Sequence, residues 1–92
     1  MNDFSHHFGL AVRRSREAMG WSQEQLAAQA DLNRSYVGEV ERGQVAVSLA
    51  TIGKLAQALQ VPQSTLVLRG EELHQHYLVR AQHMSRLAAI AG

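Results

Sequence analysis

The chain contains no cysteine, a single proline and a single lysine among its 92 residues. Without cysteine there is no disulfide and no thiolate metal site, and the redox compartment is left open. No apolar run approaches the length of a bilayer span, and the opening Met-Asn-Asp-Phe-Ser-His-His has no basic segment followed by an apolar one. Neither a membrane span nor a secretory leader is expected, and the expectation is a soluble intracellular protein. Excess charge is equally scarce: nine Lys plus Arg against eight Asp plus Glu leave a net +1. Attraction to an anion must therefore be local, and Arg13, Arg14, Arg34, Arg42 and Lys54 are the residues that can supply such a patch. All the basic residues but Lys54 are arginine, whose planar fork suits bidentate recognition and ordinary surface ion pairs alike. With 46% hydrophobic residues the chain supports one compact unit, although a core this small gains from association.

What the chain does have is a pair of short, strongly marked helices between Gly20 and Gly43. Ser22 and Gln25 are spaced as a capping box, the serine hydroxyl accepting from the Gln25 N–H while the glutamine side chain reaches back to Ser22. Trp21 before the cap and Leu26 inside the helix stand at hydrophobic-staple positions. Asn33 caps the second helix, with Leu32 and Val37 in the same relation to it. Gly43 ends that helix in the left-handed region. Asp31, in the turn between, must leave the helix through positive φ, which Asp and Asn tolerate best after glycine.

At about 100° per residue, Val37 and Val40 share the inward side of the second helix. Ser35, Gly38, Glu39 and Arg42 fall opposite, flanked by Arg34 and Tyr36. The outward face therefore carries short or hydrogen-bonding side chains. Gly38 costs the helix roughly 1 kcal/mol against alanine. It either packs against a neighbouring helix or lets an outside surface approach the backbone.

Gln23, Leu26, Ala27, Leu32, Val37, Val40 and the closing Glu41-Arg42-Gly43, followed by Ser48-Leu49, Leu55-Ala56, Leu59 and Val61, form a pattern. It resembles the Cro and phage-repressor family of helix-turn-helix DNA-binding proteins, including the controller proteins of restriction-modification systems. The resemblance covers roughly residues 8 to 68 and departs at Asp31, where the family commonly has glycine. It implies an all-α fold: a five-helix repressor-like helix-turn-helix domain over residues 1–69, then an additional C-terminal helix over 70–92. It implies a sequence-specific transcriptional regulator that binds double-stranded DNA as a homodimer on a palindromic operator. The expected location is the cytoplasm of a bacterium, chromosomally, phage or plasmid encoded and nucleoid-associated, with no cofactor, metal or membrane involved.

On that resemblance Arg34, Ser35, Tyr36 and Glu39 face base edges, the arginine suited to guanine O6 and N7 and the glutamate to cytosine N4. Ser22, Gln23, Asn33, Arg42 and Arg13 contact phosphates, helped by the free N–H groups of the two capped helix N-termini. Arg16 and Glu41 match a partly buried ion pair that, in similar proteins, ties the first helix to the presented one.

A first helix is expected from about Phe4 to Met19, with Phe8, Val12 and Met19 inward and Arg13, Arg14 and Glu17 outward. After a loop from Gln44 to Val47, Ser48 caps a helix with Leu49, Ile52, Leu55, Ala56 and Leu59 at amphipathic spacing. Pro62 opens a short fifth helix to about Leu68, although Thr65 to Leu68 is open to an extended reading. Glu71 to Ala91 is then a further helix, acidic at its start and with Arg86 near its end, in line with the helix dipole. Its stripe of Leu73, Tyr77, Met84, Leu87 and Ala91, interrupted by Arg80, needs a cover. The first and fifth helices would serve, or the same helix of a second copy. The second copy is preferred, because five helices hold enough inward residues for their own core. Leu66, Leu73, Tyr77, Met84 and Leu87 form the expected dimer interface.

The histidines do not read as metal ligands. His74 and His76 point about 160° apart on a helix, and His76 and His83 share a face with Arg80 between them and no carboxylate to complete a set. These three, with His6 and His7, are read as solvated surface residues. No Ser/His/Asp arrangement and no glycine-rich phosphate loop is recognisable, and Ser22 and Ser48 are used as caps, so an enzyme is not expected. The rival from another class is an antitoxin-like protein-binding module whose C-terminal helix grips a different protein. A small-molecule pocket between Val61 and Leu87 finds no polar constellation to support it.

Overall fold

In the computed structural model, which describes residues 3–91, the chain forms five helices: α1 Asp3–Ala18, α2 Gln23–Ala30, α3 Arg34–Glu41, α4 Leu49–Leu59 and α5 Gln63–Ala91. No strand occurs among the described residues. Met1 and Asn2, part of the leader reading, lie outside them.

Four of the helices are closed by one device. Each of α1 to α4 is followed by a residue in the left-handed region: Gly20, Asp31, Gly43 and Gln60, with φ of 74°, 55°, 71° and 60°. At each, the next N–H donates to the carbonyl five residues back, Trp21 to Arg16 at 3.2 Å, Leu32 to Ala27 at 2.9 Å, Gln44 to Glu39 at 2.9 Å and Val61 to Ala56 at 3.0 Å. This is the Schellman closure, which satisfies carbonyls that a helix end leaves orphaned. The starts are equally regular. The Ser22 hydroxyl accepts from the Gln25 N–H at 3.1 Å while the Ser22 N–H donates to Gln25 Oε1 at 2.7 Å. Asn33 Oδ1 accepts from the Ser35 N–H at 2.8 Å, and Ser48 Oγ from the Thr51 N–H at 3.1 Å.

With both ends of α2, α3 and α4 pinned, the apolar faces meet in a core of Phe8, Val12, Leu26, Val37, Val40, Leu55, Leu59 and Leu66. Each of these large side chains contributes roughly 1.5–3 kcal/mol by leaving water. Met19, Trp21 and Leu32 pack at its margin. The row on α4 begins later than its spacing suggests: Leu49, expected inward, is 82% exposed. It is the first residue of α4, at the edge of the body, and the buried positions start at Thr51.

The short fifth helix and the further C-terminal helix are a single rod of 29 residues. Helix persists through Gly70 because α1 crosses there: a Cβ at Gly70 would stand 3.0 Å from Phe8 Cα. The extended alternative for Thr65 to Leu68 is excluded, since all four residues are helical. At about 1.5 Å per residue α5 is roughly 43 Å long, in a molecule measuring 51 × 25 × 23 Å. Its first half lies along α1 and its second half projects past the body, every side chain from Gln75 to Ile90 being exposed.

Two expectations are corrected here. Leu66 has no exposed surface at all; it fills the protomer's own core and has none to offer a second copy. His7 is buried and His74 half-buried. Their Nδ1 atoms lie 3.3 Å apart, and Tyr77 stacks near His7 at 5.3 Å between centroids. Sequence spacing cannot register that contact, because it joins residues 67 positions apart. Leu73 is half-buried beside α1, and the side chain of Ala91 lies outside the described residues.

Candidate nucleic-acid interface

One carboxylate locks the two marked helices to α1. Glu41, buried at the end of α3, accepts from Arg16 Nε at 2.8 Å and Nη2 at 3.0 Å, and from Gln23 Nε2 at 3.0 Å. Arg16 Nη1 donates in turn to the Trp21 carbonyl at 2.8 Å. The hydrogen bond that Arg16 donates to Glu41 raises the Arg16 pKa above the ordinary arginine value, against an opposing desolvation effect. The end of α1, the start of α2 and the end of α3 thus share one charge-assisted node. Arg16 and Glu41 pair as the resemblance implies. Gln23, expected at a phosphate, spends one amide N–H on this node and keeps its second N–H and its carbonyl oxygen.

With α3 so held, Val37 and Val40 point inward and Arg34 and Ser35 are exposed. A notch lined by Arg16, Ser22, Gln23, Glu24 and Arg34 brings the N-terminus of α2 beside the first residue of α3. The backbone N–H groups of a first helical turn have no intrahelical partner, so this notch offers amide donors next to a guanidinium. Tyr36 is half-buried, its hydroxyl 3.4 Å from Thr51 Oγ1 on α4, and Glu39 is half-buried as well.

The cations are less gathered than the sequence allows. Arg13 pairs with Glu17 at 3.4 Å on the exposed side of α1. Arg14 sits instead in a groove with Arg69, Glu72 and His76, where Arg69 Nη1 donates to Ser15 Oγ at 2.9 Å. Lys54 reaches the Asp31 carbonyl at 3.4 Å. Of the five cations expected to form a patch, Arg13, Arg14 and Lys54 thus have neighbours of their own, while Arg34 opens α3 and Arg42 caps it. Neither of these has an ion-pair partner among the described residues.

Gly38 is the further surprise on this face. Expected either to pack against a neighbouring helix or to admit an outside surface, it is buried, and the side chain nearest to it is that of Arg42, whose Nη1 would stand 3.0 Å from a Cβ at position 38. No neighbouring helix supplies any of the three nearest atoms.

Among the described residues no group of three or more His, Asp or Glu could hold a metal ion, and no helix is long and apolar enough to cross a membrane. The helix-turn-helix family model matches residues 12–63, more than half of the chain. The chain belongs to the helix-turn-helix family. This helix-turn-helix protein is 44% identical over 61 residues to the Neisseria hypothetical transcription factor of Neisseria meningitidis serogroup B, covering 66% of this chain. It spans 58% of that relative's length. Among solved structures it is similar to the restriction-modification controller protein C.AhdI from Aeromonas hydrophila, with 52% identity over 67% of this chain and 94% of that chain, TM-score 0.66. The clp gene regulator ClgR from Corynebacterium glutamicum shares the fold over 96% of this chain and 93% of its own, TM-score 0.85 at 19% identity. That coverage takes in α5, so the long terminal rod belongs to the shared fold.

Proposed function

We propose that the chain is a sequence-specific DNA-binding transcriptional regulator that acts as a homodimer on a palindromic operator. The observation that carries this is the face of α3: buried through two valines, locked at its end by Glu41, and bearing outward two arginines that make no ion pair among the described residues. A rigid helix of that kind fits the major groove. The names of the Neisseria factor and of the controller protein point the same way.

In this reading Arg34 and Ser35 meet base edges, with Tyr36 and Glu39 at the margins of the contact. Ser22, Gln23, Asn33 and Arg13 lie along the phosphates, where the amides of the first turns of α2 and α3 add uncharged contacts. Of these four residues only Arg13 is charged, so a shallow dependence of affinity on salt is expected. The projecting half of α5 supplies the second-copy contact through Tyr77, Met84 and Leu87, with Leu73 at its base. Two copies related by a two-fold axis would read half-sites one helical turn apart, roughly 34 Å.

Selection of bound duplexes from a random pool tests the reading. A recovered inverted repeat with half-sites about one turn apart supports it; a pool that stays random, or a single unrepeated site, overturns it.

A further inference from the structure

We infer that Arg42 reads a base, and that Gly38 is present to let its guanidinium lie across the middle of the α3 face. This rests on the DNA-binding reading above and adds to it a second specificity arginine, where the resemblance alone assigns Arg42 to a phosphate.

Glycine inside a helix is costly, and in this protein the other reasons for it can be compared directly. At Gly9 a Cβ would meet the backbone of α3, 2.7 Å from the Glu41 carbonyl oxygen; at Gly70 it would meet the backbone of α1. At Gly43 the backbone itself is left-handed. Gly38 has neither reason. Its φ is not positive, and the three atoms nearest to a methyl placed there all belong to one flexible side chain: Arg42 Nη1 at 3.0 Å, Nη2 at 3.6 Å and Cζ at 3.7 Å.

The direction of Arg42 explains the fit. It is the capping residue after α3, and helical side chains lean toward the N-terminus. Its fork is thereby carried back one turn, off the helix end and onto the face shared with Ser35 and Glu39. An arginine aimed at the phosphate rail would extend away from the helix. This one is laid along the surface that enters the groove, at its centre, with no ion pair to Glu39 three residues back. A planar fork in that place matches guanine O6 and N7.

The test uses the full chain and the duplex recovered by selection, with every single-base variant of one half-site, at several salt concentrations. Wild type, Arg42→Ala, Arg42→Lys and Gly38→Ala are compared, with circular dichroism to show that each is folded. Arg42→Ala is expected to lose about 5- to 150-fold discrimination at one base pair, distinct from that read by Arg34, with the salt slope nearly unchanged. Arg42→Lys should not restore it, and Gly38→Ala should weaken the same preference with full helicity, since its methyl forces the guanidinium to shift. Uniform weakening on all duplexes with a slope reduced by about one marks a phosphate contact and overturns the inference while leaving the regulator reading intact. A Gly38→Ala protein with wild-type preferences overturns it too. If the wild type enriches no duplex, the regulator reading fails and this inference with it.

Discussion

Arg16 and Glu41 face each other as two forks, Nε to Oε2 at 2.8 Å and Nη2 to Oε1 at 3.0 Å, joining residues 25 apart in the chain. The carboxylate side chain is only 2% exposed, so its charge is compensated by Arg16 and Gln23 rather than by water. Removing one partner of such a pair leaves the other buried and uncompensated, which costs about 3–5 kcal/mol. Glu41→Ala is therefore expected to lower the urea midpoint sharply. Replacing both residues by apolar ones, as in Arg16→Met with Glu41→Leu, should cost less than the single change. The Arg16 pKa is raised in the folded state, so its contribution is fully present below the ordinary arginine range and is lost as pH rises through the raised value. Stability from this half of the pair should be flat across neutral and moderately alkaline pH, which urea titrations at several pH values would check.

Glycines at two helical positions make opposite forecasts. At Gly9 a methyl would run into the carbonyl oxygens of Val40 and Glu41, backbone atoms that cannot turn aside. Gly9→Ala should destabilise by at least about 1–3 kcal/mol, the usual range for overpacking. At Gly53 the nearest atom is the end of the Gln63 side chain at 3.2 Å, which can swing away. Gly53→Ala should then gain up to about 1 kcal/mol from helix propensity. Thermal melts of the two variants against wild type give the comparison.

Gln60 holds the left-handed position that closes α4, with φ 60° and ψ 41°. A side chain there carries a steric cost that glycine avoids, partly offset by glycine's greater freedom when unfolded. Gln60→Gly should raise stability by about 0.5–1 kcal/mol, or roughly 2–8 °C in a domain of this size. An unchanged or lowered melting temperature would show that the glutamine side chain contributes a contact of equal worth.

How much of this is legible in the residues depends on range. Caps, the αL turn at Asp31 and the stop at Gly43 are local chemistry, written in the residues that perform it, and they stand where expected. Gln60 escapes because the Schellman closure it completes is a matter of backbone bonds that its side chain does not signal. The Arg16–Glu41 pair is visible through resemblance, whereas Gln23 in the same node, Arg69 against Ser15, and His7 against His74 depend on how helices cross. Helix boundaries fail in one place for the same reason. A fifth helix is expected to end near Leu68 and a further one to open at Glu71, yet Gly70 between them serves a close crossing with α1 and the helix runs on. Leu66, expected at the dimer interface, stands seven residues before Leu73 on the same helix, but α5 starts inside the body and ends outside it.

For the groove contact itself, Arg34 is exposed at the start of α3 and bonded to nothing that its removal would orphan. Arg34→Ala should leave the stability within about 0.5 kcal/mol of wild type. It should cost about 1–3 kcal/mol of binding, concentrated at one base position per half-site. Competition titrations with single-base variants read this directly, and an unchanged preference would remove Arg34 from the readout.

On the proposed function, the far half of α5 sets the assembly. Met84, Leu87 and Ile90 are 64%, 48% and 83% exposed on the part of the rod that projects past the body. Side chains of this size left in water forgo roughly 1.5–3 kcal/mol each relative to burial. Pairing with a second α5 across a two-fold axis would recover that while setting two α3 helices on one duplex. Met84→Glu with Leu87→Glu should leave the protomer folded, because neither residue belongs to its core, and should turn a dimer into a monomer in sedimentation. Affinity for the full palindrome should fall much further than affinity for an isolated half-site. A wild-type chain that sediments as a monomer at every concentration would remove the dimer, and a double variant that remains dimeric would move the interface elsewhere on the surface. Recovery of the wild type in a fixed ratio with an unrelated protein, lost in the double variant, would instead make this helix the grip of an antitoxin-like module.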